Sequence, residues 1–160
     1  MRHMLKIATL ATMLFAGVST AQAHDAYIVK EDDSVLTQMF AWFNTTYAKP
    51  ERFTEAGFAQ YFTDEIVFDI NGKKSPKGLK SLTDRFNHLK ETYHSIVIGL
   101  PLKEEYLVDD KIFTYHLNSG KEKAEDPVGG FTHVMGYVTL DNGKISLVKF
   151  LHYNEEPAEK

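Results

Sequence analysis

The apolar positions in the first half of the chain recur at helical spacing. A first helix is predicted on Val35, Met39, Trp42, Phe43 and Tyr47, after the acidic or capping residues 32–34. Pro50 marks a break, and a second helical pattern joins Phe53, Phe58, Tyr61 and Phe62. Residues 66–70 then form a short predicted strand, which Asn71-Gly72 ends. A third helix is predicted with its apolar face on Leu79, Leu82, Phe86, Leu89 and Tyr93.

In the second half the period changes to two. Strands are predicted at residues 95–100, 106–108, 112–118, 131–141 and 144–153. Residues 109–111 and 141–143 are the turns, and residues 120–130 form a polar loop. Helices first and a meander of strands last predict an α+β fold, with N-terminal helices packed on one face of an antiparallel sheet.

The last two predicted strands are joined by Asn142-Gly143, a strong signal for a two-residue hairpin turn. Counting outward from this turn places Val138 opposite Leu147, and Val134 opposite Leu151. On the other face Tyr137 falls opposite Val148, Met135 opposite Phe150, and His133 opposite His152. A three-residue turn would shift every pair by one. The two histidines either couple in their titration or lie at a solvated end of the sheet.

His116, on the predicted strand 112–118, points either into the protein or into a subunit interface.

Both faces of this hairpin are largely apolar, so we expect both to be covered. The helices can cover one face, and a second copy of the chain is the simplest cover for the other. The pattern therefore predicts a homodimer formed through the sheet.

The N-terminus has the pattern of a signal peptide. Arg2 and Lys6 precede an apolar stretch, and Ala21-Gln22-Ala23 supplies small residues before a cleavage point. The expectation is a signal peptide at 1–23 and one domain at 24–160, in the periplasm or secreted; a retained anchor is the alternative. Cleavage would remove two bases and no acid, changing the formal charge from −4 to −6. After cleavage we expect no stable insertion into a membrane.

Composition narrows the possible chemistry. The acidic balance argues against nucleic-acid binding, because a phosphate-backbone binder carries a basic face. The chain has no cysteine, which excludes disulfides, thiolate zinc sites, iron–sulfur clusters and a cysteine nucleophile. Carboxylate, imidazole and phenol groups remain as the plausible catalytic groups, and neither a metal nor a cofactor is expected.

The order of elements resembles the nuclear transport factor 2-like superfamily, whose branches include SnoaL-like polyketide cyclases, ketosteroid isomerase and scytalone dehydratase. The segments at residues 61–69, 78–82, 108–112 and 141–145 carry this resemblance. It implies a cone, or cystatin-like α+β roll, with a pocket between the helices and a curved antiparallel sheet. It also implies a small apolar or mixed-polarity ligand and, often, a dimer. The pocket lining expected on this basis is Trp42, Phe43, Tyr47, Phe62, Phe86, Met135, Val148 and Phe150, although these residues can equally be filling the core.

The resemblance also suggests a catalytic residue. Asp69 stands where isomerase-like members of the superfamily have their proton-abstracting aspartate, although it can also be a turn residue that bonds Asn71-Gly72. The tyrosine of the isomerase falls near Trp42 or Phe43 here, and its protonated aspartate near Met135, so steroid isomerisation is not expected.

Two functions remain open at this point. The first is a cofactor-independent isomerase or lyase (dehydratase or cyclase), with Asp69 as base, Tyr137 or His133 as proton donor, and His152 as a further candidate catalytic residue. The second is a non-catalytic ligand-binding or scaffold domain of the same fold. Metal binding by His133 and His152 is a third, remote alternative.

Overall fold

The structure is a computed structural model that describes residues 27–28, 34–127 and 130–154. The predicted signal peptide, residues 1–23, lies outside these residues. Within them the helices are α1 (Val35–Tyr47), α2 (Glu55–Phe58) and α3 (Leu79–Thr92). The strands are β1 (Tyr27–Ile28), β2 (Phe62–Ile70), β3 (Lys73–Lys74), β4 (Ser95–Ile98), β5 (Glu104–Val108), β6 (Lys111–Lys121), β7 (Thr132–Asp141) and β8 (Lys144–Asn154). No described helix has the length and apolar character to cross a membrane.

The predicted helices α1 and α3 are confirmed, but the second predicted helix is wrong at its C-terminal end. It stops at Phe58, and Phe62 already begins β2. The reason is pairing with β8: Phe62 lies opposite Ile145, whose N–H donates to the Tyr61 carbonyl at 2.8 Å. A strand partner distant in sequence thus overrides the local helical spacing.

The described strands form one sheet in the order β1-β5-β6-β7-β8-β2-β3, with β4 pairing the far end of β6. The fold class, an α+β cone of helices on a curved sheet, is confirmed. One pair differs from the antiparallel prediction, because β2 runs parallel to β8. This pair extends the sheet beyond β8 and brings the end of β2 next to the middle of β8, where Ile70 lies opposite Phe150.

The hairpin of β7 and β8 has the predicted turn but not the predicted register. Asp141 pairs with Lys144 and Leu140 with Ile145, and then a β-bulge at Ser146 shifts the pairing by one residue. Val138 therefore faces Val148, and Val134 faces His152. Because strand side chains alternate, this one-residue shift exchanges the two faces of β8 beyond the bulge.

The core lies between the helices and the inner face of the sheet. Its largest fully buried side chains are Phe58, Phe62, Leu36, Ile66, Ile145, His116, Val134, Val138 and Val148. Two asparagines tie other segments to the helices, each by bonding both backbone polar groups of one residue through its side-chain amide. Asn44 of α1 bonds the N–H and C=O of Ile98 at 2.9 and 2.8 Å, and Asn87 of α3 bonds those of Phe53 at 2.9 and 3.1 Å.

Candidate functional site

A cavity of about 180 Å³ lies inside the cone, between α1, α3 and the inner face of the sheet. Its apolar walls are Phe40, Phe43, Phe68, Ile70, Phe86, Leu89, Ile96, Ile98, Val134 and Phe150. The polar groups that line it are Arg85, His116, Asn118 and His152. An apolar cavity with a few convergent polar groups is the usual form of a small-molecule site.

The polar residues Arg85, Asn118 and His152 mark one end of this cavity, which we call the neck. They also line an adjoining depression of about 710 Å³, the vestibule, whose wall is mostly polar. The vestibule includes Glu122 and Tyr93, which do not line the inner cavity. The neck therefore joins an apolar interior to a polar entrance.

His116 is the buried imidazole of the cavity, with 1% of its surface exposed. It lies against Phe40 and Phe150, with ring centroids 4.8 and 5.6 Å away, and its Nδ1 shares a 3.3 Å hydrogen bond with the Thr114 hydroxyl. Burial, and then the nearby His152, lower the pKa of His116 from 6.5 to about 4. At neutral pH its ring is uncharged, and Nε2 is the nitrogen that remains for a ligand.

His152 is the second imidazole, and the hairpin turn after β2 fixes its backbone. The Asn71 Oδ1 accepts the His152 N–H at 2.8 Å, and the Asn71 side-chain amide donates to the His152 carbonyl at 3.4 Å. Asn71 adopts a φ of 51°, which asparagine tolerates better than most residues. Burial, and then the charge of Arg85, lower the pKa of His152. Both imidazoles of the cavity are thus held toward their neutral form.

Asn118 carries a polar atom without a partner. Its Oδ1 is buried, and no donor from the described residues reaches it. Native proteins satisfy most such atoms with protein groups or ordered water, so this acceptor is available to a donor that a ligand brings. No group of three or more His, Asp or Glu residues in the described part of the chain could hold a metal ion.

The structure separates the predicted catalytic residues. Asp69 does not line the cone cavity: Phe68 and Ile70 point into the cavity, and Asp69 lies between them on the outer face of β2. There it is 7% exposed, opposite Lys149 of β8, and its Oδ1 has no hydrogen-bond partner among the described residues.

His133 and Tyr137 also lie on the outer face, so the predicted pairing of His133 with His152 is wrong. The bulge at Ser146 places Tyr153 opposite His133, with ring centroids 4.4 Å apart, and turns His152 inward. His133 shares a 2.8 Å hydrogen bond with the hydroxyl of Tyr115.

The predicted pocket lining divides into three groups. Phe43, Phe86 and Phe150 line the cavity. Tyr47, Phe62 and Val148 are buried in the core, and Trp42 packs on Phe53, Phe58 and Tyr61. Met135 is 45% exposed on the outer face. There it lines a separate depression of about 450 Å³ together with Asp69, Tyr137 and Lys149.

The comparisons with known proteins were made at the level of sequence and of structure. A scan against protein-family models found no match, and a search of curated proteins found none either. Solved structures do match. One is an NTF2-like protein of unknown function from Exiguobacterium sp. 255-15, with a TM-score of 0.57 and 18% identity, over 78% of this chain and 100% of that chain.

Two further structures carry functional names. A putative polyketide cyclase from Bacillus cereus ATCC 10987 matches with a TM-score of 0.53 and 16% identity, over 76% of this chain and 72% of that chain. A protein from Catenulispora acidiphila DSM 44928 with a ketosteroid isomerase-like fold, in complex with trimethylamine, matches with a TM-score of 0.54 and 8% identity, over 72% and 84%. At these identities the similarity shows the fold. The chain has the nuclear transport factor 2-like fold, as its sequence predicts.

Proposed function

We propose that the protein binds a small, largely apolar molecule in the cone cavity, with the polar end of the molecule at the neck. The observation that carries this proposal is the convergence of Arg85, Asn118 and His152 at one end of a cavity that is otherwise apolar apart from the neutral ring of His116. Polar groups collected in this way fix the orientation of a ligand, while aromatic walls supply the contact area. Small-molecule complexes and enzyme names among structures of the same fold support it.

The size of the cavity sets the size of the ligand. An engineered cavity of about 150 Å³ in another protein holds benzene. The cone cavity, at about 180 Å³, therefore accommodates one six-membered ring with a small substituent. A larger ligand would extend through the neck into the vestibule.

Binding of phenol, a neutral single ring, tests the proposal by isothermal titration calorimetry. Leu89 lines both the cavity and the neck side of the vestibule, so Leu89→Trp should block the site. Met135→Trp places the same ring in the outer depression and is the matched control. We expect phenol to bind the wild type and the Met135 variant but not the Leu89 variant. Equal binding by all three proteins would contradict the proposal.

A cofactor-independent isomerase or lyase is the second candidate, favoured by the neutral imidazoles in the cavity. A neutral His152 can take a proton from a carbon beside a carbonyl, and the C–H electron pair then forms an enolate that Arg85 stabilises. Deuterium exchange at that carbon of cyclohexanone, followed by NMR in D₂O, measures this step. His152→Gln should abolish the exchange and Asp69→Asn should not. Loss of exchange only in the Asp69 variant would favour the carboxylate as base, and unchanged exchange in both would reject both bases.

The predicted homodimer is also part of the proposal. The outer face of the sheet exposes Phe113, Met135, Leu151 and Tyr153, which lie on adjacent strands. A twofold axis through this face would bury these side chains against their own copies. Sedimentation velocity should give a dimer for the wild type and a monomer for Leu151→Lys; a monomeric wild type would contradict the predicted dimer.

Export of the protein stays a prediction, which sequencing of the mature N-terminus tests.

A further inference from the structure

The neck carries a cation that has no counter-ion among the described residues. Arg85 is the arginine of α3 that lines both the cavity and the vestibule, and no lysine lines either one. It takes part in none of the ion pairs found among the described residues. Glu122, the acidic residue of the vestibule wall, does not line the cavity itself. The charge that meets a ligand at the neck is therefore positive.

The same end of the cavity holds an acceptor that needs a donor. Asn118 Oδ1 is buried and has no partner among the described residues, whereas His116 Nδ1 and the Thr114 hydroxyl, on the neighbouring inward positions of β6, bond each other. Filling the site with a purely apolar molecule would leave this oxygen unpaired, which costs binding free energy. A ligand that fits must bring a hydroxyl or N–H group beside its charged group.

These features together define a class of ligand, on the basis of the proposed function of the cavity. We propose that the cavity binds a 2-hydroxy carboxylate that carries one ring. The ring fills the apolar interior and the carboxylate pairs with Arg85 at the neck. The 2-hydroxyl group donates to Asn118 Oδ1. The guanidinium group suits this role because it presents several donors to both carboxylate oxygens.

Three probes separate this inference from the proposed function. Mandelate has the ring, the carboxylate and the hydroxyl; phenylacetate lacks the hydroxyl, and benzyl alcohol lacks the carboxylate. By calorimetry we expect mandelate to bind most tightly, and its affinity to fall as salt is added. If benzyl alcohol binds and mandelate binds no more tightly, the cavity is a ligand site but the inference is wrong. If none of the three probes binds although phenol does, the inference alone fails. If phenol does not bind either, the proposed function fails as well.

Variants assign the effect to residues. Arg85→Gln, on an exposed helical position, should weaken mandelate by about tenfold or more and benzyl alcohol far less, because only mandelate loses an ion pair. Asn118→Leu should reduce mandelate to the affinity of phenylacetate. Arg52→Gln removes another exposed arginine, one that pairs with Glu91 away from the neck, and is the matched control. Equal weakening of mandelate and benzyl alcohol by Arg85→Gln, or the same loss in the Arg52 variant, would overturn the assignment.

Discussion

Replacing His116 by phenylalanine removes a buried imidazole that the fold holds in its neutral form. The pKa of His116 is about 4 in the folded protein, against 6.5 for an unperturbed histidine, mainly because the ring is buried. Between these two values the unfolded chain takes up a proton that the folded protein does not. The free energy of unfolding is therefore fully present above pH 6.5 and decreases as the pH falls toward 4.

The size of this loss follows from the shift. Each pKa unit corresponds to about 1.4 kcal/mol, so the shift accounts for about 3 kcal/mol of acid destabilisation. His116→Phe abolishes this term. The variant keeps the ring contacts with Phe40 and Phe150 but leaves the Thr114 hydroxyl without its partner, at about 1 kcal/mol. That cost is the same at every pH. The way in which the difference in unfolding free energy between the two proteins changes with pH therefore reports on the imidazole alone.

Urea unfolding of both proteins, at several pH values from about 7.5 to 4, measures the difference. The wild type should lose about 3 kcal/mol more than the variant across this range, and His88→Gln, on the exposed side of α3, should behave like the wild type. If the unfolding free energies of the wild type and of His116→Phe decrease in parallel as the pH falls, the reasoning is refuted. So would an NMR titration in which His116 takes up its proton near its ordinary pKa.

Three further predictions about the fold around the site can be tested by urea unfolding of substituted proteins. Gly136→Ala, at a φ of 153°, forces a Cβ against the Lys149 carbonyl and should cost at least about 2 kcal/mol. Gly143→Ala, at a φ of 78° in open space, should cost about 1 kcal/mol from the backbone conformation alone, and equal costs would contradict the close approach. Burial raises the pKa of Glu105, so the wild type should gain stability relative to Glu105→Gln as the pH falls through that raised pKa; parallel pH profiles would contradict it. Asn44→Ala should cost about 1–3 kcal/mol, because the part-buried N–H and C=O of Ile98 both lose their partner. A loss under about 0.5 kcal/mol, the range of ordinary surface substitutions, would contradict this.

The sequence predicted the layers of this fold better than the faces of its strands. Helices α1 and α3 and the Asn142-Gly143 turn follow from local spacing and turn chemistry, and the structure has them. The bulge at Ser146 does not follow from local pattern, because it depends on how β8 packs against β2 and the helices. The sequence pattern nevertheless contains one indication of a bulge. Without a bulge, Lys149 would share the buried face with Val134 and Val138, which a lysine does not favour.

The bulge is also the reason why the observed site differs from the site predicted from the sequence. The unshifted register joined His133 to His152, whereas the bulge leaves His133 outside and turns His152 into the cavity. Alternation along β6 could have identified Asn118. Thr114 and His116 are inward positions two residues apart, and Asn118 is the next position in the same series. Arg85 had no comparable signal, because an arginine beside the apolar face of a helix is usually a solvated charge.

The central claim is that a small molecule occupies the cone cavity and not the outer depression. Phenol titrated into protein labelled at isoleucine and methionine methyl groups distinguishes the two by NMR. Ile70, Ile96 and Ile98 line the cavity, and Met135 lines the outer depression. We predict saturable shifts of the three isoleucine methyl signals with Met135 unmoved. Shifts of Met135 with the isoleucine signals unmoved would contradict the account.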